Sequence, residues 1–144
     1  MRLVCLTSIE SFVMNKMLFG KAIEYKVASE MLREGFEIYL PAVDDHGVDL
    51  MARTPGGNIV EVQVKSLSKS AKGGLFSPIK HTPTSDFYFV FYLESQDSMW
   101  IFNSADFLKY ATVNKSGKNI GQYSIDVLKK ACSPFRVTDY STIV

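Results

Sequence analysis

Apolar and polar residues recur with two different periods along this chain, and each period predicts a different kind of element. The stretch from Asn15 to Arg33 contains no proline. Its apolar residues have the spacing of one helix face, at Leu18, Ala22, Ile23, Val27, Met31 and Leu32. We predict an amphipathic helix here that ends near Gly35, and strands where short apolar runs follow between turn residues.

Five strands are predicted after the helix. They cover residues 36–40, 48–53, 59–66, 87–93 and 99–102. The second and third are joined by a hairpin turn from Thr54 to Asn58, which contains Pro55 and two glycines. The run from Phe87 to Leu93 is almost entirely aromatic and aliphatic, so we expect this strand to be buried on both faces and central to the sheet.

The remaining segments are predicted to be loops and short helices. Residues 67–84 are rich in Ser, Gly, Lys and Pro and are expected to form a long loop, and Ser104 is expected to cap a helix from Ala105 to Tyr110. Residues 125–131 predict another short helix. This order of elements is typical of an α+β protein with a mixed central sheet of about five strands and flanking helices.

Length and composition define the kind of protein. The chain has 144 residues, 47% of them hydrophobic, which is enough for one packed core. We therefore expect residues 1–144 to form a single domain, with residues 1–14 as a loosely attached tail. Two distant cysteines, Cys5 and Cys132, argue against a zinc site or a secreted disulfide framework and favour a cytoplasmic protein. No apolar run approaches the ~20 residues of a membrane-spanning helix.

Candidate chemistry lies on the third predicted strand. Because side chains alternate along a strand, Glu61, Gln63 and Lys65 share one face, while three valines share the other. This pattern is also typical of any half-exposed strand. Two acids elsewhere favour a functional interpretation. Asp49 lies within an apolar strand, where a carboxylate needs a partner or a metal, and Glu24 lies on a helix face of small and apolar residues.

The hairpin brings Asp49 towards Gln63, so a carboxylate, an amide oxygen and a lysine are expected to meet. Hard oxygen ligands of this type hold Mg²⁺, which offsets the charge of a phosphodiester during hydrolysis. The lysine would position the attacking water or help to deprotonate it. In the alternative, the polar row is merely exposed, and these three side chains do not converge.

Four short motifs in order resemble the PD-(D/E)XK nuclease superfamily, and most closely its branch of archaeal Holliday-junction resolvases and a small bacterial homing endonuclease with a Gln-X-Lys motif. The motifs are residues 20–28, 32–41, 47–50 and 62–66, and the motif core spans residues 20–66. The resemblance implies an α/β/α restriction endonuclease-like fold. It also implies that the chain is a Mg²⁺-dependent DNA endonuclease, with Mn²⁺ as a substitute ion.

The same resemblance assigns roles to individual residues. It implies that Glu24 supports the site, that Asp49, Gln63 and the backbone carbonyl of Val64 bind the metal, and that Lys65 is the catalytic lysine. Most members carry Asp or Glu at the position of Gln63. Because an amide brings no charge, metal affinity is expected to be lower unless Glu61 or Glu24 compensates. The alternative is a catalytically inactive nuclease-fold module that binds nucleic acid or protein.

A DNA-binding surface has to be local, because the formal net charge of the whole chain is only +1. The predicted loop after the third strand carries Lys69, Lys72, Lys80 and His81 and no acid, so we predict that these residues contact DNA, although a solvated loop would look similar. Four lysines between residues 115 and 130 could extend this surface. His46, in an Asp-Asp-His-Gly turn, is interpreted as structural or peripheral. A homodimer or higher homo-oligomer is expected, because one small site cuts one strand.

Overall fold

The computed structural model describes residues 15–43 and 47–144, so the predicted tail and the turn around His46 lie outside the described residues. Helix α1 runs from Lys16 to Arg33 and confirms the predicted helix. Its N-cap is Asn15, whose side-chain oxygen accepts the N–H of Met17 at 2.7 Å. Gly35 ends the helical region with a φ of +93°, a conformation that glycine adopts without strain.

The described residues contain nine strands. They are β1 (Glu37–Tyr39), β2 (Leu50–Arg53), β3 (Ile59–Leu67), β4 (Leu75–Ile79), β5 (Phe87–Leu93), β6 (Ser98–Asn103), β7 (Thr112–Val113), β8 (Tyr123–Asp126) and β9 (Arg136–Val137). Six of them form a large sheet in the order β1-β2-β3-β5-β6-β9. The pairing of β3 with β5 is parallel and the other four pairings are antiparallel. The predicted α+β class with a mixed sheet is therefore confirmed, with six strands in place of about five.

A second sheet, which we call the small sheet, has the order β4-β8-β7 and is antiparallel. It corrects two predictions. Residues 67–84 are not all loop, because β4 lies among them. Residues 125–131 do not form a helix: they begin with the end of β8, and a 3-10 helix follows only at Lys130–Phe135. In both segments, pairing with a distant strand satisfies the backbone where local sequence indicated a loop or a helix.

The large sheet has a different cover on each face. On one face, Ile23, Val27 and Met31 of α1 pack against a row of valines from β3, together with Tyr140 and Ile143 near the end of the chain. The opposite face is covered by helix α2 (Ser104–Tyr110) and by the small sheet, and its core is aromatic. None of the described helices is both long and apolar enough to cross a membrane.

Helix α2 begins one residue earlier than predicted. Its N-cap is Asn103, whose Oδ1 accepts the N–H of Asp106 at 2.8 Å, and Ser104 is the first helical residue. Ser104 is buried, and its Oγ lies 2.7 Å from Nε2 of His81 and accepts the N–H of Thr84 at 3.2 Å. A buried hydroxyl needs such partners, so Ser104 ties the segment before β5 to α2 in place of capping the helix.

Adjacent residues of α1 provide a test of the packing between the helix and the sheet. Met31 is fully buried and Leu32 is 56% exposed. We expect Met31→Ala to lower the free energy of unfolding by roughly 2–5 kcal/mol, because it leaves a cavity under the sheet. Leu32→Ala, the matched control, is expected to change it by less than about 0.5 kcal/mol. Urea denaturation followed by circular dichroism measures both, and equal effects would contradict this packing.

Candidate active site

Asp49 lies immediately before β2, where it makes two contacts with β3. The last ladder pair of β2 and β3 is Leu50 with Val62, and the N–H of Asp49 donates to the carbonyl of Val62 at 2.9 Å. Its Oδ2 then accepts the N–H of Val64 at 2.6 Å. The carboxylate therefore lies along the edge of β3, where β2 no longer supplies a backbone partner and the N–H of Val64 donates to the carboxylate in its place.

The backbone of Val64 faces the same edge. In a strand, the N–H and C=O of one residue point to the same side, and neighbouring residues point to opposite sides. The N–H of Glu61 donates to Asp86, just before β5, while Val64 donates to Asp49 on the β2 side. The carbonyl of Val64 thus points to the side on which Asp49 lies, as its predicted role requires.

Glu24 and Asp49 line one small cavity of about 170 Å³, between α1 and the chain that leaves β1. The side chain of Glu24 is 18% exposed, and its Oε2 lies 2.6 Å from Nζ of Lys21, one helical turn earlier. Lys21 lines the same cavity. Glu24 and Asp49 therefore lie at the same cavity, with the cation of Lys21 beside them to offset the charge of the two acids.

Gln63 and Glu61 line a different cavity of about 630 Å³ on the opposite face of β3. The side-chain amide of Gln63 lies over Gly47, where an added Cβ would come within 3.4 Å of Nε2. Gly47 also has a φ of +70°, so glycine is favoured there for its conformation and for the space it leaves. The structure thus places Glu24 and Asp49 at one cavity and Glu61 and Gln63 at another, although Asp49 and Gln63 were expected to meet.

Lys65 is half-buried and lies two residues after Gln63 on β3, so both side chains leave the strand on the same face. In the parallel pairing with β5, Lys65 lies opposite Phe91. The ammonium group is therefore carried by the most firmly paired part of the sheet. The order Glu61, Gln63 and Lys65 along this face is the one that the alternation predicts.

The predicted DNA-contacting residues divide into two groups. Lys69, Lys72 and Lys80 are exposed, and Lys80 also lines the larger cavity with Gln63. His81 is packed among aromatic rings, with ring-centroid distances of 4.8 Å to Phe87 and 4.9 Å to Phe89. His81 also lines the larger cavity.

The donor set at this edge fits a weakly held Mg²⁺. Among the described residues, no three His, Cys, Asp or Glu side chains are close enough to hold a metal ion. Asp49 supplies a carboxylate and Val64 a carbonyl on the same side of β3, whereas the amide of Gln63 lines the other cavity. Mg²⁺ in proteins commonly uses one or two carboxylates and keeps several waters, so this small set of hard oxygens suits it.

Comparison with solved structures supports a nuclease-like fold. The chain is similar to the bacterial homing endonuclease I-Ssp6803I, with a TM-score of 0.61 and 20% sequence identity over 85% of this chain and 88% of that one. At this identity the likeness shows the fold alone. No protein-family model matches the chain. No curated protein matches it either.

Lys21 is the site residue that sequence reasoning missed. Its signal was present, because a residue three positions before Glu24 lies on the same helix face. Lys and Glu at this spacing usually form an ordinary surface pair, and only the cavity shows that Lys21 also lies beside Asp49. The spacing alone therefore gave no reason to select it.

The environment of His81 generates a pH-dependent prediction. Burial lowers its pKa below the usual 6.5, because the aromatic surroundings disfavour the charged ring. The folded protein then binds the proton less readily than the unfolded chain. The stability contribution of the neutral ring is thus complete above pH 6.5 and is lost as the pH falls towards the folded pKa.

We expect NMR titration of His46→Asn, in which His81 is the only histidine left, to give a pKa below 6.5. Between pH 7.5 and pH 5.5, the stability of this variant should fall more than that of the same protein with His81→Gln added. A titration midpoint at or above 6.5 would contradict the burial of the ring.

Proposed function

We propose that this protein is a metal-dependent DNA endonuclease that hydrolyses phosphodiester bonds at a PD-(D/E)XK-type site. The observation that carries the proposal is the 2.6 Å contact between Asp49 and the backbone of Val64. Through this hydrogen bond Asp49, the residue before β2, is attached to β3, the strand that carries Gln63 and Lys65. The likeness in fold to a homing endonuclease supports the same conclusion.

Each residue of this set has a distinct task in the proposed reaction. When bound, Mg²⁺ would offset the negative charge of the scissile phosphate and lower the pKa of a bound water. Asp49, the Val64 carbonyl and Gln63 would hold it, and Glu24 adds negative charge across the smaller cavity. Lys65 orients the attacking water, and its positive charge stabilises the charge that develops on the phosphate oxygens.

Cutting both strands of a duplex requires two such sites. We therefore propose a homodimer or higher homo-oligomer as the active species on duplex DNA. The second candidate function is a catalytically inactive module of the same fold that binds nucleic acid or protein. It is favoured by one observation: among the described residues the metal set contains few carboxylates, with the amide of Gln63 where an acid would bind more tightly.

The first prediction concerns catalysis. We expect wild-type protein with Mg²⁺ or Mn²⁺ to nick supercoiled plasmid or cleave a four-way junction. Asp49→Ala and Lys65→Ala should each lower the rate by roughly 100-fold or more, because they remove a metal ligand and a charge-stabilising group. The measurement is the rate of product formation on gels, with thermal melts to confirm folding.

Matched controls separate these residues from general loss of charge. Asp139→Ala and Lys109→Ala remove an exposed carboxylate and an exposed lysine outside the site, and both should cut at the wild-type rate. If folded wild-type protein cuts no DNA substrate with either ion yet still binds DNA, the inactive module is the correct function.

The second prediction concerns Gln63. Gln63→Glu adds a carboxylate to the ligand set, so we expect Mn²⁺ to bind roughly 10-fold more tightly than to wild type. Titration calorimetry of Mn²⁺ measures the change. Asp139→Asn, which alters an exposed carboxylate that lines neither cavity, should leave the affinity unchanged. Equal Mn²⁺ affinities of Gln63→Glu and wild type would remove Gln63 from the metal site.

A further inference from the structure

Positive charge is concentrated in two stretches of sequence that the fold brings together. Residues 67–85 and 111–131 hold seven of the sixteen Lys and Arg residues and one of the fifteen Asp and Glu residues. Their formal net charge is therefore +6, and the rest of the chain carries −5. The first stretch supplies β4 and the second supplies β7 and β8, so the small sheet unites them.

The lysines lie at both ends of the small sheet. In the antiparallel pairing of β4 with β8, Leu75 lies opposite Asp126 and Ile79 lies opposite Tyr123. One end therefore carries Lys72, Lys129 and Lys130. The other end carries Lys80 and the β7–β8 hairpin tip, with Lys115 and Lys118. All five of these lysines and Lys80 are exposed.

The outer face of the small sheet is mainly polar, with the exposed Leu75 and the partly exposed Asp126 opposite each other at one end. Its inner residues, Phe76, Ile79 and Ile125, are buried in the aromatic core. On the outer face, the hydroxyl oxygens of Ser77 and Ser124 lie 2.5 Å apart. The hydroxyl of Ser124 also donates to Oδ1 of Asn114 at 3.1 Å. A row of hydroxyl and amide groups thus runs between the two lysine-rich ends.

We propose that the small sheet is the surface that recognises duplex DNA, with its hairpin in the major groove. This rests on the proposed function in that the DNA is the substrate of the same protein. Lysines at both ends match the charge of phosphates on the two sides of a groove. Beyond β4 only the β7–β8 hairpin continues, where the backbone of Asn114 bonds to Gln122 and Gly121. The major groove admits a two-stranded ribbon of this kind, and hydroxyl and amide side chains are groups that read base edges.

The small sheet is continuous with the candidate active site. The chain leaves β4 at Ile79 and continues directly into Lys80 and His81, which line the larger cavity beside Gln63. A duplex bound along these lysines can therefore also reach the face of β3 that carries Gln63. All seven cations of the two stretches are lysines, which act as point charges without fixed geometry. Sequence discrimination is then left to Ser77, Asn114 and Ser124.

Binding to labelled oligonucleotides tests the proposal. The probe is a mixed-sequence 30-bp DNA duplex, followed by fluorescence anisotropy in EDTA so that no metal-dependent cutting occurs. We expect Lys115→Gln/Lys118→Gln to weaken binding roughly 10-fold near 0.1 M salt. It should also lower the slope of log affinity against log salt by roughly 1–2, because two phosphate contacts are lost.

A control variant removes the same charge elsewhere. Lys16→Gln/Lys109→Gln changes two exposed lysines outside the small sheet and should bind within about 2-fold of wild type. Equal weakening by both double variants would mean diffuse attraction and overturn the proposal. Because binding in EDTA needs no catalysis, an inactive protein that still shows this difference would refute only the proposed nuclease.

Competing probes test the duplex and the groove. We expect single-stranded DNA and an RNA duplex of the same length to bind at least about 5-fold more weakly than the DNA duplex, because the RNA major groove is too narrow for the ribbon. A duplex with glucosylated hydroxymethylcytosines, which fill the major groove, should also bind weakly. Equal or tighter binding of any of these three, or displacement by the minor-groove ligand distamycin, would overturn the proposal.

Discussion

The parallel pairing of β3 with β5 is the constraint on which the rest of this structure depends. It joins seven residue pairs, from Glu61 with Phe87 to Leu67 with Leu93. Parallel neighbours cannot be joined by a tight turn, so the chain has to leave the sheet after β3 and return to its starting end. The residues in between therefore cross one face of the sheet, and this is where β4 finds β8 as a partner. The aromatic core between the two sheets is a result of this crossover.

The same pairing defines the site, because it leaves β3 with two unequal edges. One edge is fully occupied by β5, while on the other the short strand β2 ends opposite Val62. Beyond that point the backbone of β3 needs a side chain as a partner, and Asp49 supplies it. A carboxylate at the end of a truncated strand is held in position by the sheet itself and needs no flexible loop. The hydrogen bond with Val64 accounts for Asp49, an acid within an apolar segment, whose partner could not be identified from the sequence.

Much of this organisation could be predicted from sequence, and the failures have a common physical origin. Helix α1 and the strands of the large sheet follow from periodicity, because each buries one face against a large neighbour. Strand β4 was predicted as loop, since its Ser-Pro pair and flanking lysines are typical of loops, and its pairing partner lies about fifty residues away. The candidate site residues were selected by alternation along β3, by the apolar neighbours of Asp49 and by the helix face that carries Glu24. Their division between two cavities depends on what covers each face of the sheet, and periodicity does not encode that information.

The uneven distribution of charge makes this nearly neutral chain an electric dipole. A net charge of +1 produces little attraction at long range. The two stretches of the small sheet, however, carry +6 and the rest of the sequence carries −5, so the field of a polyanion exerts a torque on the molecule. The proposed DNA would therefore turn the protein towards itself before contact, at distances up to a Debye length of about 10 Å near 0.1 M salt.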